Sequence, residues 1–422
     1  MSNLVNTNIP WLPYLKADWK VLRVKNAFYA SKEKAHQETP TILSLARSGV
    51  KIRDISNNEG QLAESYYDYN PVKPGDLLLN PMDLYSGANC NVSEVEGVIS
   101  PAYANLRSKI KLEPRFFDYY FKTQYWTMAM FAHGKGVSFD NRWTLNNETL
   151  MSYELPFPTF EEQEKIVHTL KSKIDKIDEL ILIQERQISS LKEYKQCIIT
   201  KAVTKGLNTS SLMKESSIEF IGLVPKHWKI LKTKRITIDH LQGYYDKDGY
   251  TSSGFRLLRI TDLQDDGRLS IENSPFVKET NTIHKFILEK GDFCFARTGG
   301  AGLFGFIDNE IEPSVFASYL IRFRFKKQYN PFLKYVFLSN SFQQEIDSLI
   351  HGAVNRNVHA ENILETHISI PPKEEQIQIV EYLDNKCDQI NNLISIKLEK
   401  IEKLQEYKKS LIYEYVTGKK EV

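Results

Sequence analysis

The chain is written twice. Glu161-Glu162-Gln163 and Glu374-Glu375-Gln376 lie 213 positions apart in a sequence of 422 residues, and each opens a long helical pattern. A repeat of half the chain is far longer than the roughly 20–50 residues of a solenoid unit. It marks a duplicated module and predicts internal two-fold pseudosymmetry.

The first helical pattern runs from about Glu161 to Ala202. At alternating steps of four and three it carries Leu170, Ile174, Ile177, Ile181, Gln184, Ile188, Leu191, Lys195 and Ile198, a heptad seam with two polar breaks. Moved on by 213 positions, the same steps give Leu383, Cys387, Ile390, Ile394, Lys397, Ile401, Leu404, Lys408 and Leu411, and the breaks fall at the same two places. A stripe this narrow needs a partner helix. The chain holds two matching helices, so an antiparallel coiled coil between them is expected; the plainer alternative is a surface helix on each domain. Each helix follows a short apolar strand ended by proline (Pro156 and Pro158; Pro371 and Pro372) and has acidic residues in its first turn, where the helix dipole favours them. Each stops near a glycine, Gly206 or Gly418.

The rest of each module reads as strand-rich. Trp19-Lys20-Val21-Leu22 matches Trp228-Lys229-Ile230-Leu231, and Gly75-Asp76-Leu77 matches Gly291-Asp292-Phe293, a glycine turn feeding an apolar strand. Tyr119-Tyr120-Phe121 matches Tyr335-Val336-Phe337, read as a buried helix. Between these anchors the copies diverge, Asn80-Pro81-Met82-Asp83-Leu84 standing where the other has Ala296-Arg297-Thr298-Gly299-Gly300. One scaffold with unlike loops is what two related domains with different ligands would show. The fold class expected is α+β, two pseudosymmetric globular domains joined by the coiled coil. Boundaries fall at 1–158 and 225–372 for the domains, 159–207 and 373–422 for the helices, and 208–224 for a polar linker.

Pseudo-two-fold shape suits a roughly two-fold ligand, and duplex DNA is the commonest. The formal charge of +2 is too small for a strong nucleic-acid binder acting alone, so basic residues must gather on one face or a partner must supply more. No apolar run reaches the ~18 residues of a membrane span, and the N-terminus lacks the pattern of a signal peptide. Cys90, Cys197, Cys294 and Cys387 are scattered, which argues against disulfides and zinc. A cytoplasmic protein is expected.

Catalytic signatures do not emerge. Gly300-Ala301-Gly302-Leu303-Phe304-Gly305 spells a dinucleotide loop, but Phe306 to Pro313 beyond it has little helical promise. There is no GK[ST] phosphate loop, no Asn-Pro-Pro-aromatic methylase motif and no metal-ligand spacing among the nine histidines. Glu193-x-Lys195 sits on the heptad helix. The reading is no catalytic residue, no cofactor and no metal.

These residues resemble the specificity subunit of type I restriction-modification enzymes along nearly the whole chain. The resemblance rests on the proline-Glu-Glu-Gln helix starts, the Ile/Leu seam, Glu193-Tyr194-Lys195 and Glu406-Tyr407-Lys408, and Ile221-Gly222-Leu223-Val224-Pro225 before Trp228. Gly75-Asp76, Asn80-Pro81-Met82 and Ser100-Pro101-Ala102-Tyr103 are typical of one branch. It implies a non-catalytic subunit whose two target recognition domains each read half of an asymmetric, bipartite double-stranded DNA site. It also implies that the helices space the halves and dock two methyltransferase subunits, with restriction/translocase subunits joining the full complex.

Arg and Lys read guanine edges, and aromatics stack or pack. On that chemistry the candidate DNA contacts are Arg47, Arg53, Lys135 and Arg142 in the first domain. In the second they are Tyr244, Tyr245, Lys247, Arg256, Arg259, Arg297 and Arg356. His133, His351 and His359 read as structural. The competing function is a coiled-coil adaptor between proteins that binds no nucleic acid.

Overall fold

In the computed structural model of the protein the described residues are 3–56, 63–85, 87, 89–136, 143–245, 249–298, 300, 302–326, 330–350 and 357–422. They form two compact units, Met1–Gln184 with Leu398–Val422, and Glu185–Lys397. This division differs from the boundaries read in the sequence, because each unit takes half of each long helix.

In the first unit, β1 (Lys20–Arg23) is followed by β2 (Phe28–Ala30), β3 (Leu77–Leu79), β4 (Cys90–Val92) and β5 (Ala104–Ser108). Helix α1 (Pro114–Trp126), β6 (Glu154–Phe157) and the first long helix, α2 (Phe160–Lys205), complete the series. A four-stranded antiparallel sheet has the order β2-β5-β3-β4, and β1 pairs with β6 just before the long helix.

The second unit repeats this. Its elements are β7 (Lys229–Lys232), β8 (Thr237–Gln242), β9 (Asp292–Ala296), β10 (Phe304–Phe306), β11 (Leu320–Phe325), α3 (Asn330–Leu338), β12 (His367–Ile370) and the second long helix, α4 (Lys373–Val416). The sheet order is β8-β11-β9-β10, and β7 pairs with β12. The duplication read from the sequence is therefore a duplication of topology. The Phe304–Phe306 end of the glycine-rich segment is a strand, so no helix opens there to face a pyrophosphate.

The central strand of each sheet is buried on both faces. Leu77 and Leu79 enter the core with α1, whereas Leu78 packs with Leu43, Leu45, Val72 and Ile99. Phe293 and Phe295 likewise face α3, whereas Cys294 and Ala296 face Phe255, Leu257, Val315 and Phe316. Alternation of side chains along a strand makes this division automatic. One face meets the shared scaffold and the other meets the divergent layer. The Gly-Asp pair has a common purpose too. Asp76 accepts from Lys73 N at 3.0 Å and from Arg107 Nε at 3.0 Å; Asp292 accepts from Glu289 N at 2.9 Å and from Arg324 Nε at 2.8 Å. Each aspartate closes the turn before its strand and ties down the neighbouring strand.

The Glu-Glu-Gln start is also legible in bonds. Gln163 donates to Pro158 O at 3.0 Å and accepts from Glu113 N at 2.8 Å, and Gln376 donates to Pro371 O at 2.9 Å. Both glutamines are buried, fastening the proline turn to the first helical turn. Every seam position from Leu170 to Ile198 and from Leu383 to Leu411 is buried or half-buried.

The two long helices pack together antiparallel. In the first unit Lys408 donates to Asp178 at 2.7 Å, and Leu170, Ile174 and Ile177 share a core with Leu411, Ile412, Tyr415 and Val416. In the second unit Lys195 donates to Asn391 at 2.9 Å and Lys397 to Gln187 at 2.6 Å, while Ile199, Ala202 and Val203 share a core with Ile379, Leu383 and Cys387. Lys195 and Lys408 are the same seam break in the two copies, and their partners Asn391 and Asp178 are equivalent positions next to seam residues Ile390 and Ile177. Polar groups at seam positions fix register at some cost in stability.

Each unit is thus finished by the end of the other module's helix. Gly206 (φ +71°) ends α2, and a Cβ there would lie 3.1 Å from Trp228; Gly418 (φ +70°) follows α4, where a Cβ would lie 2.6 Å from the Lys16 side chain. A left-handed residue with no room for a side chain must be glycine. The segment read as linker, 208–224, holds a strand, Met213–Glu215, paired with Leu223–Pro225. Among the described residues no helix is long and apolar enough to cross a membrane.

One exposed ion cluster gives a pH prediction. Hydrogen bonds from Lys232 and Lys234 hold the Glu365 carboxyl down at about 2, against its ordinary 4.5. A depressed acid contributes stability above its ordinary value and loses it as pH falls toward the folded value. Glu365→Gln is expected to flatten the melting profile between pH 4.5 and about 2. The difference should shrink in high salt, because the group is exposed.

Candidate nucleic-acid interface

At one end of each four-stranded sheet, the loop after the central strand meets the turn that opens the neighbouring strand. In the first unit this end carries Asn80-Pro81 and Ser100-Pro101-Ala102-Tyr103. Tyr125 donates to Asn80 O at 2.8 Å, Tyr103 N bonds Ser100 O at 3.1 Å, and Leu145 N closes on Pro81 O at 2.8 Å. In the second unit Arg297 N bonds Tyr319 O at 2.8 Å, Leu320 N bonds Ala317 O at 2.8 Å, and Val358 N closes on Arg297 O at 2.8 Å. Two backbone bonds recur, the turn bond (Tyr103 N to Ser100 O, Leu320 N to Ala317 O) and the closure onto the loop (Leu145 N to Pro81 O, Val358 N to Arg297 O), while the side chains change.

The first unit's end forms a cleft of about 430 Å³. Its walls include Pro81, Pro101, Ala102, Tyr103 and Leu145, with Lys32 and Lys34 at its edge. Two motifs far apart in sequence thus converge on one concavity. Lys32, Lys34 and His36 are all exposed. Lys34 reaches Asn70 at 3.3 Å, and Lys32 has no partner among the described residues. Burial raises the Tyr103 phenol, and the nearby Arg53 charge opposes that shift. Arg53 is half-buried, and its backbone N bonds Ile42 O at 2.8 Å. Arg47 is exposed on the turn between strands Leu43–Ala46 and Gly49–Ile52. Lys135 is exposed and bridges to Thr144 at 2.9 Å. His133 stacks edge-on to Trp11 at 4.5 Å, a packing role.

In the second unit the sheet end gathers Tyr244, Tyr245, Arg297 and Tyr319. Gly243 and Tyr244 bond the 316–320 turn through Leu320 O and Phe316 O, at 3.0 and 2.7 Å. The approach is so close that a Cβ on Gly243 would sit 2.0 Å from Ala317 O. Tyr245 and Tyr319 are 71% and 61% exposed, rings left to solvent that can stack on a ligand. Tyr244 instead packs edge-on to Phe286 at 5.5 Å. Arg297 is half-buried, with its guanidinium unpartnered among the described residues.

Arg256 and Arg259 lie in the divergent layer, on and just after the strand Phe255–Leu258. The Arg256 guanidinium pairs with Glu312 at 2.5 Å, donates to the carbonyls of Ile271, Glu272 and Ser274, and lies 4.5 Å over the Phe276 ring. Arg259 holds Asp262 at 3.3 Å and Asn273 O at 3.2 Å. Both are engaged in bracing their own unit. Arg142, Lys247, His351 and Arg356 lie outside the described residues. His359 caps a short helix, its N bonding Asn362 at 2.8 Å.

Sequence reasoning missed Lys32, Lys34 and Tyr319. The alternation Lys32-x-Lys34-x-His36 was the available signal; nothing local marks Tyr319.

Known proteins agree with this architecture. A family model described as the type I restriction modification DNA specificity domain matches residues 243–403. The chain is 26% identical over 359 residues to the MjaVIII specificity subunit of Methanocaldococcus jannaschii, covering 82% of this chain and 80% of that one. It is 23% identical over 430 residues to the EcoBI specificity subunit of Escherichia coli, covering 93% and 86%. Among solved structures, it is similar to a chain from work on complex assembly and conformational transition of a type I R-M system (TM-score 0.71, 14% identity, 96% of this chain and 99% of that one). It is also similar to the HsdS subunit of Thermoanaerobacter tengcongensis (TM-score 0.50, 14% identity, 96% and 98%). The chain is similar along most of its length to specificity (S) subunits of type I restriction-modification systems, and residues 243–403 match their DNA specificity domain.

Proposed function

We propose that each unit reads one half of an asymmetric, bipartite duplex DNA site through the loop end of its sheet, with the helix pair as the spacer. The observation that carries this reading is the recurrence of those two backbone bonds at that end with unlike side chains around them. Lys32, Lys34, Arg53 and Tyr103 serve the first unit; Arg297, Tyr245 and Tyr319 serve the second. Arg256 and Arg259 hold the divergent layer in shape. Two readers on one face of B-DNA sit about one turn, ~10 bp, apart or a multiple of it.

The partners we infer are two methyltransferase subunits, with restriction/translocase subunits in the full complex, all in the cytoplasm. Support comes from exposed apolar residues beside the seam. Leu180, Ile183 and Tyr407 are 43%, 38% and 53% exposed in the first unit. Their repeat equivalents Leu393, Ile396 and Tyr194 are 47%, 61% and 55% exposed in the second. In an antiparallel pair Leu180 and Tyr407 flank the seam on one side, as do Leu393 and Tyr194. Two matching patches fit two copies of one partner.

Three results test the reading. In the complex with the methyltransferase, Arg297→Ala is expected to relax one base position in one half-site and weaken binding about 10-fold, within the ~1–3 kcal/mol of a good base contact. Lys32→Ala should weaken binding to all sequences and lower the salt slope by about 0.9, one phosphate contact. Equal affinity for every duplex would leave only the adaptor reading. Leu180→Asp or Leu393→Asp should each leave one methyltransferase bound, seen as a mass change in analytical ultracentrifugation.

A further inference from the structure

We propose that the cleft of the first unit seats a single nucleotide drawn out of the duplex, whose base offers an N–H to the cleft wall. This rests on the DNA-reading function above and assigns its ligand at that cleft. Shape is the first argument. The edge of a stacked base lies at the floor of a groove and is read by a side chain that protrudes. A concavity of about 430 Å³ takes something that protrudes into it. Enzymes and readers that remove a base from the stack hold it between apolar or aromatic side chains and bond its pairing edge. Tyr103, Pro81, Pro101 and Leu145 supply such walls.

Polarity is the second argument. Two of the lining residues keep unmet buried polar atoms, the Ser31 hydroxyl and Asn105 Oδ1, in side chains of residues only 7% and 1% exposed. The Asn105 amide nitrogen already donates to Pro71 O at 3.0 Å and to Asp76 at 2.9 Å. Its oxygen is therefore held as an acceptor and cannot trade places with the nitrogen. Ser31 joins the same strand end through Ser31 N to Asn105 O at 2.8 Å, and its hydroxyl is free to turn. A buried acceptor without a donor is unfavourable, so the occupant brings an N–H. The amino groups of adenine, cytosine and guanine qualify, and so does the N3–H of thymine. Charge is the third argument. Lys32 and Lys34 stand at the edge, where the phosphates of an extruded nucleotide remain, and an apolar or cationic side chain from a protein would leave both ammonium groups idle.

The experiment walks single mismatches through the half-site read by the first unit, using the assembled methyltransferase complex. Extruding a base is easier when its pair is already broken. A mismatch at one position other than the methylated base is expected to tighten binding about 10-fold. The gain should vanish in Lys32→Ala and in Ser31→Ala, each checked by melting to be folded. A gain confined to the methylated base and unchanged in both variants overturns the proposal, as does no gain at any position. Loss of methyltransferase assembly in Lys32→Ala would overturn it in favour of a protein occupant. If the matched duplex binds no better than random DNA, the function proposed above fails and this inference with it; sequence-selective binding without the mismatch effect removes this inference alone.

Discussion

Leu411→Ala is expected to destabilise the first unit by about 2–5 kcal/mol, though the residue lies almost three hundred positions after that unit's helix α1. Leu411 is 1% exposed and packs in the same core as Phe116, Phe117 and Tyr120. The loss is large against the ~5–15 kcal/mol that holds a typical domain. Removing everything after Lys397 takes away Leu411, Ile412, Tyr415 and Val416 together, and should melt the first unit outright while the second stays folded. Hydrogen exchange reads this directly. Amides of Pro114–Trp126 lose protection and those of Asn330–Leu338 keep it. Uniform loss across both units, or none, would show that the helix end is not part of the first core.

Asp292→Ala is the second large effect. Asp292 is 2% exposed, and its carboxylate takes two bonds from Arg324, at 2.8 and 3.1 Å, besides closing the turn at Glu289 N. Removing one partner of a buried pair costs about 3–5 kcal/mol, because the remaining charge keeps its desolvation without its bond. We expect about 3 kcal/mol, since Arg324 keeps Glu289 and reaches water. Asp76→Ala should act alike in the first unit, where Arg107 keeps Glu33. Denaturant melts followed separately for each unit will show a lower midpoint in the mutated unit only. Losses below 1 kcal/mol in both would mean that the repeated Gly-Asp element serves something other than the sheet.

What could be read in the sequence follows periodicity and spacing. The seam from Leu170 to Ile198, its echo from Leu383 to Leu411, and the Gly-Asp turns are regular enough to place without coordinates. The swap of helix ends was hidden. Ile199, Ala202 and Val203 continue the apolar pattern of their helix, and nothing in that pattern says they enter the second unit's core. The candidate site was half visible. Arg297 stands beside a glycine-rich stretch and attracts notice, whereas Tyr319 reaches it only through the pairing of distant strands. Arg256 shows the converse: a charge is visible in a sequence, and its neighbours Glu312 and Phe276 are not.

The closure of the first unit by residues 411–416 has a consequence for synthesis in the cell. The N-terminal half leaves the ribosome well before the segment that completes its core. At roughly 5–20 residues per second, the more than two hundred intervening residues impose a wait on the order of 10–50 s. During that interval the greasy flank of α2 stays uncovered, available to chaperones or to a neighbouring nascent chain, and the finished protein becomes whole only when its last turn is made.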